Sequence, residues 1–187
     1  MENISIPVEK TKKTPNNYID NKKFYEAMVV YKEQVEEYIR QKQLYGVPNI
    51  DKPRINNYIG ECLLLIAKNL SKAGNFSSYT YIHDMQSDGI ENCLKYIDNF
   101  DPTRKNPFAY FTTIMYYAFI RRIAIEKKEQ YVKYKNLENF LLSDQITGMT
   151  SVDMSTVDND MTNQIIKNYE EYMQKKKNPA KGGKKKT

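Results

Sequence analysis

With 187 residues, the chain has room for one ordinary domain plus tails. Its apolar content of 40% lies below the usual ~45–50% and its charged content of 28% slightly above average, so a modest core with polar ends is expected. No apolar run approaches the ~18 residues of a transmembrane helix, and Met1-Glu2-Asn3-Ile4-Ser5 lacks a basic region followed by an apolar one, so neither a membrane span nor a signal peptide is expected.

The formal charge of +6 is unevenly distributed. Lys175, Lys176, Lys177, Lys181, Lys184, Lys185 and Lys186 supply seven positive charges with no acid among them, which leaves 22 Lys/Arg against 23 Asp/Glu elsewhere. The body must therefore meet any polyanion through a local patch. Residues 102–135 offer one: Arg104, Lys105, Arg121, Arg122, Lys127, Lys128, Lys133 and Lys135 face only Glu126 and Glu129.

In chain order, the polar start with Pro7 and Pro15 reads as a disordered arm over residues 1–20. From Asn21 to Leu44, apolar residues Phe24, Met28, Tyr31, Val35, Tyr38 and Ile39 recur at helical spacing. Gly46, Pro48 and Pro53 break the chain. A second helix is expected from Ile55 to Ala73, with Gly74 as its C-cap. A third should span Tyr81 to Phe100 and stop at Pro102, which can neither continue the ladder nor favour helix before it.

Asn106-Pro107 combines an N-cap residue with proline at the first helical position. The fourth helix should reach at least Lys128, extending as far as Asn136. Leu141 to Thr156, rich in Ser, Thr, Asp and Gly, reads as a linker, and Val157 to Lys176 as a short helix. Together these predict an all-α fold: a compact helical domain over 21–140, a linker and short C-terminal helix over 141–174, and a disordered lysine-rich tail over 175–187.

Little in the chain suggests catalysis. Cys62 and Cys93 lack metal-ligand spacing and read as buried thiols, and His83 is the single histidine. A non-enzymatic protein without cofactors or metals is expected. Asp84 and Asp88, four apart, share one helix face, which is either a solvated acidic surface or a dock for a basic partner. In the fourth helix Ile114, Ala118 and Ile125 can face a core, but Phe108, Tyr110, Phe111, Tyr116, Tyr117 and Phe119 are too many rings for one stripe. Either they form a buried seam, or some are shown to a ligand; rings beside cations suit an unpaired nucleic-acid strand.

Four strings in order carry a resemblance: Leu64-Leu65-Ile66-Ala67-Lys68, Asp84-Met85-Gln86-Ser87-Asp88-Gly89, Ile97-Asp98-Asn99-Phe100-Asp101 and Phe108-Ala109-Tyr110-Phe111-Thr112-Thr113. Residues 55–140 resemble region 2 of bacterial sigma factors. Asp88 to Glu91, Asn99 to Asp101 and Asn106 to Tyr110 are similar to strings of the late-transcription branch from T-even-type phages.

The resemblance implies a helical bundle of the sigma region 2 type. Its acidic helix would dock on the clamp helices of the largest subunit of core RNA polymerase, through Asp84, Ser87, Asp88 and Leu94. The family usually has Gln and Glu where Ser87 and Asp88 stand. The next helix would bind an AT-rich promoter element upstream of the start site and help melt it, capturing a flipped adenine of the non-template strand. Phe100, Asp101, Arg104, Phe108 and Phe111 correspond to that pocket, with Phe108 and Phe111 offering rings for stacking. Ala118 and Arg121 correspond to the family's positions that read duplex bases, and Lys105, Arg121, Arg122, Lys127 and Lys128, cations beside the rings, suit the phosphates.

Primary sigma factors carry two tryptophans where this chain has Ile114 and Met115, and so does the phage branch lack them; Tyr116 and Tyr117 are the candidate substitutes. The phage branch ends in a hydrophobic-acidic motif that grips a sliding clamp, whereas this sequence finishes in Lys184-Lys185-Lys186-Thr187. The implied setting is the cytoplasm of an infected bacterial host, with room for a phage co-activator. The competing expectation is an autonomous DNA-binding or polymerase-binding helical regulator that is not a sigma factor.

Overall fold

The computed structural model describes residues 18–45, 51–147 and 159–177. The expected arm through residue 17, the break at Gly46 and Pro48, the linker residues 148–156 and the lysines beyond 177 lie outside the described residues. All the regular structure described is helical, in the order α1 (Asn21–Tyr45), α2 (Asn57–Ser71), α3 (Ile82–Lys95), α4 (Pro107–Thr147) and α5 (Asn159–Lys177). Two 3-10 turns, Ile97–Asn99 and Pro102–Arg104, separate α3 from α4. No helix among the described residues is long and apolar enough to cross a membrane, and no group of His, Cys, Asp and Glu there could hold a metal ion.

Local chemistry explains most of these boundaries. Asp20 Oδ1 accepts from the backbone N–H groups of Lys22 (3.0 Å) and Lys23 (3.2 Å) and so opens α1. Asn56 does the same for α2, accepting from Tyr58 N–H at 2.9 Å. Asn106 Oδ1 accepts from Ala109 N–H at 3.0 Å, and Pro107 follows at the first position of α4.

Four helix ends differ from the sequence reading. Helix α2 ends at Ser71 and is capped by Lys72 in right-handed geometry, so Gly74 is not a left-handed C-cap. Helix α3 stops at Lys95, well before Pro102: the chain tightens into a 3-10 turn there, and Pro102 begins the second turn instead of ending the helix. Helix α4 runs on past Asn136 and into the first residues of the expected linker, to Thr147, since adding residues to an established helix costs no new nucleus. The lysines Lys175, Lys176 and Lys177 belong to the last turn of α5 and not to a disordered tail.

The chain divides into two units, Met1–Phe119 and Ile120–Thr187, with α4 contributing to each. In the first unit Phe24, Met28, Tyr31 and Val35 of α1 join Ile59, Cys62, Leu63, Ile66 and Ala67 of α2 in one buried cluster with Cys93, Ile97, Phe100, Phe111 and Met115. Burying each of the Val, Leu, Ile, Phe and Met side chains among them contributes about 1.5–3 kcal/mol. Both cysteines are buried thiols, and burial pushes Cys93 up to about 12 and raises Cys62 as well.

A polar knot sits beside that cluster. Tyr31 OH donates to Asp98 Oδ1 at 3.1 Å, Lys52 Nζ donates to Asp98 Oδ2, and Lys32 Nζ donates to the Asp98 carbonyl at 2.7 Å. Asp98 thereby ties α1 and the segment before α2 onto the first 3-10 turn. In the second unit, Ile123, Thr162 and Ile166 are buried.

Candidate nucleic-acid interface

The turns between α3 and α4 arrange the first group of candidate residues. Asp101 caps the second turn, accepting from Thr103 Oγ1 at 2.8 Å and Thr103 N–H at 2.9 Å. These hydrogen bonds, chiefly the hydroxyl's, hold its carboxyl below the usual range, with a smaller contribution from Arg104. Lys105 then takes a left-handed conformation, φ 50°, its N–H donating to the Pro102 carbonyl. That reversal leads directly into Asn106 and α4.

Arg104 emerges on a shallow cleft of about 300 Å³, lined also by Asn106, Ala109, Tyr110, Thr113 and Ile114. Tyr110 forms its inner wall. The ring packs on Phe100 (5.5 Å) and Phe111 (5.0 Å), and the hydroxyl donates to the Tyr96 carbonyl at 2.8 Å. Burial raises the phenol's pKa, and nearby Cys93 adds to the effect.

The rings of the sequence reading separate into two sets. Phe111 is 0% exposed and Phe100 2%. Phe111 stacks on Phe24 at 5.6 Å and lies 6.3 Å from Phe100, so both rings belong to the core. Neither presents a face to a flipped base, and the expectation that Phe111 stacks on one is corrected: the remote ring of Phe24 covers it. Phe119 is also buried, edge-on to Phe76 at 5.2 Å.

Phe108, Tyr116 and Tyr117 remain accessible, at 43%, 41% and 62%. Phe108 is held at the start of α4, where its N–H donates to Asn21 Oδ1 at 3.3 Å. Tyr116 leans edge-on against Phe76 (5.7 Å), and Tyr117 meets Tyr116 at 5.7 Å. Met115 and Ala118 are buried and Ile114 is half-buried, whereas Ile125, expected to face the core, is exposed.

The acidic helix presents the other candidate surface of this unit. Asp84, Ser87 and Leu94 are exposed and Asp88 is half-buried. Gln86, between them in sequence, turns inward and donates to Ser71 Oγ at 2.7 Å, fixing α3 to α2. His83 is exposed.

In the second unit Arg121, Lys127 and Lys128 are exposed, while half-buried Arg122 pairs with Glu126 at 3.4 Å. Lys127 Nζ lies 5.8 Å from the centre of the Tyr172 ring. Sequence reasoning missed Tyr110, Asn106 and Thr113 as cleft residues, and Phe76 as the ring that orients Tyr116. Spacing from Arg104 could have suggested Asn106; nothing local in the sequence marks Tyr110 as a cleft wall or points to Phe76. Comparison of the chain with protein-family models and with curated proteins finds no match.

Proposed function

We propose that this chain is a non-enzymatic specificity subunit of RNA polymerase of the phage late sigma type. It docks core polymerase through Asp84, Ser87, Asp88 and Leu94 and opens an AT-rich promoter element with the start of α4. The observation that supports this best is the cleft beside Arg104. It lies in the segment that resembles the strand-capturing part of sigma region 2, it is roomy enough for one unpaired base, and a guanidinium stands at its edge for phosphate. Exposed rings at Phe108, Tyr116 and Tyr117 lie on the same segment of α4.

In this reading the base enters beside Tyr110 and Ile114, while Phe100 and Phe111 support the cleft from within. Stacking of an extruded base on an accessible ring contributes ~1–3 kcal/mol, comparable with the few kcal/mol that flipping costs at a weak A·T step.

The test measures two quantities together: binding to bacterial core polymerase, and permanganate reactivity of promoter thymines in the complex. The wild-type chain should bind core and produce reactive thymines. Arg104→Ala combined with Tyr117→Ala should keep core binding and lose reactivity. Tight promoter binding by the free protein would favour an autonomous DNA-binding protein. Core binding without any strand opening would favour an adaptor that only occupies the clamp helices.

A further inference from the structure

The second unit contains a cleft away from the start of α4, and Lys127, expected to meet promoter phosphates, stands on its rim. Lys127 and Gln130 of α4 line it together with Ile165, Asn168, Tyr169 and Tyr172 of α5, and it holds about 230 Å³. Tyr169 stacks on Tyr131, with centroids 4.6 Å apart and planes 23° from parallel, and Tyr172 stands 6.2 Å from Tyr169. Tyr131 OH donates to Glu170 at 3.4 Å, which anchors the stack. Tyr172 keeps 40% exposure, with the Lys127 ammonium 5.8 Å from its ring centre.

This lining has a definite chemical preference. Gln130 and Asn168 each carry a carboxamide, donor and acceptor side by side, which is the pairing that a base edge satisfies. Tyr172 offers a π face, and Lys127 a phosphate partner. The volume is below the roughly 300–1,000 Å³ of drug-sized pockets and on the scale of one planar ring system. Lys127, Gln130 and Asn168 place polar groups among the rings, so a purely apolar occupant would leave them without partners. Lys175, Lys176 and Lys177 follow on the last turn of the same helix and add positive charge for a phosphate backbone.

We propose that this cleft binds an unpaired base of single-stranded nucleic acid: Tyr172 stacks on it, Asn168 and Gln130 meet its edge, and Lys127 holds the adjoining phosphate. The site stands independently of the polymerase reading, and its test requires no polymerase.

The full-length protein is titrated into a short fluorescein-labelled single strand and read by anisotropy, at salt high enough to weaken purely phosphate-driven binding. Tyr172→Ala should weaken binding by about tenfold, Tyr172→Phe should restore it, and affinity for duplex of the same sequence should not change. A strand carrying 5-iodouracil, irradiated with the wild-type protein, should cross-link to Tyr172 or Tyr169. This second readout is independent of how the variants fold. The mononucleotide dAMP should displace the strand only at far higher concentration; displacement at comparable concentration would make this a free-nucleotide site and overturn the strand assignment. Unchanged affinity in Tyr172→Ala, with cross-links confined to other residues, would overturn the proposal and leave the cleft to a protein partner.

Discussion

Gly89 and Phe119 approach so closely that a Cβ at position 89 would lie 3.0 Å from Phe119 Cε1. The same carbon would stand 3.4 Å from Met115 Cγ. The ring cannot easily retreat, because it is fully buried with Phe76 edge-on against it. Glycine at 89 thus lets the acidic helix α3 seat directly on α4. Gly89→Ala gains about 0.5–1 kcal/mol of helix propensity but adds overpacking of about 1–3 kcal/mol. The net should be a loss of about 1 kcal/mol, and Gly89→Val should lose more. Urea unfolding measures both, and a Gly89→Ala protein as stable as wild type would show that the core yields freely.

Lys105 presents the opposite case. Its φ of 50° suits glycine, and a left-handed L-residue costs about 1–2 kcal/mol, partly offset by the greater freedom of unfolded glycine. Lys105→Gly should raise stability by up to about 1 kcal/mol while weakening DNA binding, because a cation is lost from the basic patch. Thermal unfolding and a salt-dependent DNA titration read the two effects separately.

The knot at Asp98 should show a graded response. Tyr31→Phe removes one donor to Asp98 Oδ1 and should cost about 0.5–1.5 kcal/mol. Asp98→Ala leaves the buried Tyr31 hydroxyl without that acceptor and Lys52 without its carboxylate partner, so its cost should be larger, about 1–3 kcal/mol. Burial is the main cause that raises the Tyr31 pKa, followed by the Asp98 charge. The same unfolding measurement ranks the two variants, and the reverse order would contradict this account of the knot.

Neither cysteine should react with a thiol reagent in the folded protein at pH 8, and both should react once it is unfolded. The pH dependence follows from the direction of the shifts. Both thiols have raised pKa values when folded, Cys93 about 12, so their contribution to stability is complete below the unfolded thiol's pKa and is lost as pH rises through the folded one. Stability should therefore decline in the alkaline range through these groups, and Cys93→Ala should flatten that decline. Kinetics with a chromogenic disulfide reagent and unfolding at several pH values measure each part.

Much of the helical order was legible in the sequence because it is local. The α1 stripe from Phe24 to Val35, and the Asn106-Pro107 start of α4, are set by spacing and capping alone. The end of α3 was not, because Ile97 continues the apolar register after the backbone has already tightened into a 3-10 turn. The inward or outward facing of the α4 rings was beyond local reading as well. Six rings cover too much of the helix for periodicity to rank them. Their facing is decided by Phe24 on α1 and Phe76 after α2, each distant in sequence. Within the candidate site, Arg104 and the exposed Phe108, Tyr116 and Tyr117 could be named beforehand. The cleft wall at Tyr110 depends on tertiary packing and could not.

Run-off transcription by bacterial core polymerase on AT-rich promoter templates, with and without this protein, reads out whether the chain acts as a polymerase specificity subunit. New start sites should appear that require the wild-type chain and vanish with Arg104→Ala/Tyr117→Ala, although that variant still binds core. Absence of any new start site, together with absence of core binding by the wild-type chain, would contradict that role.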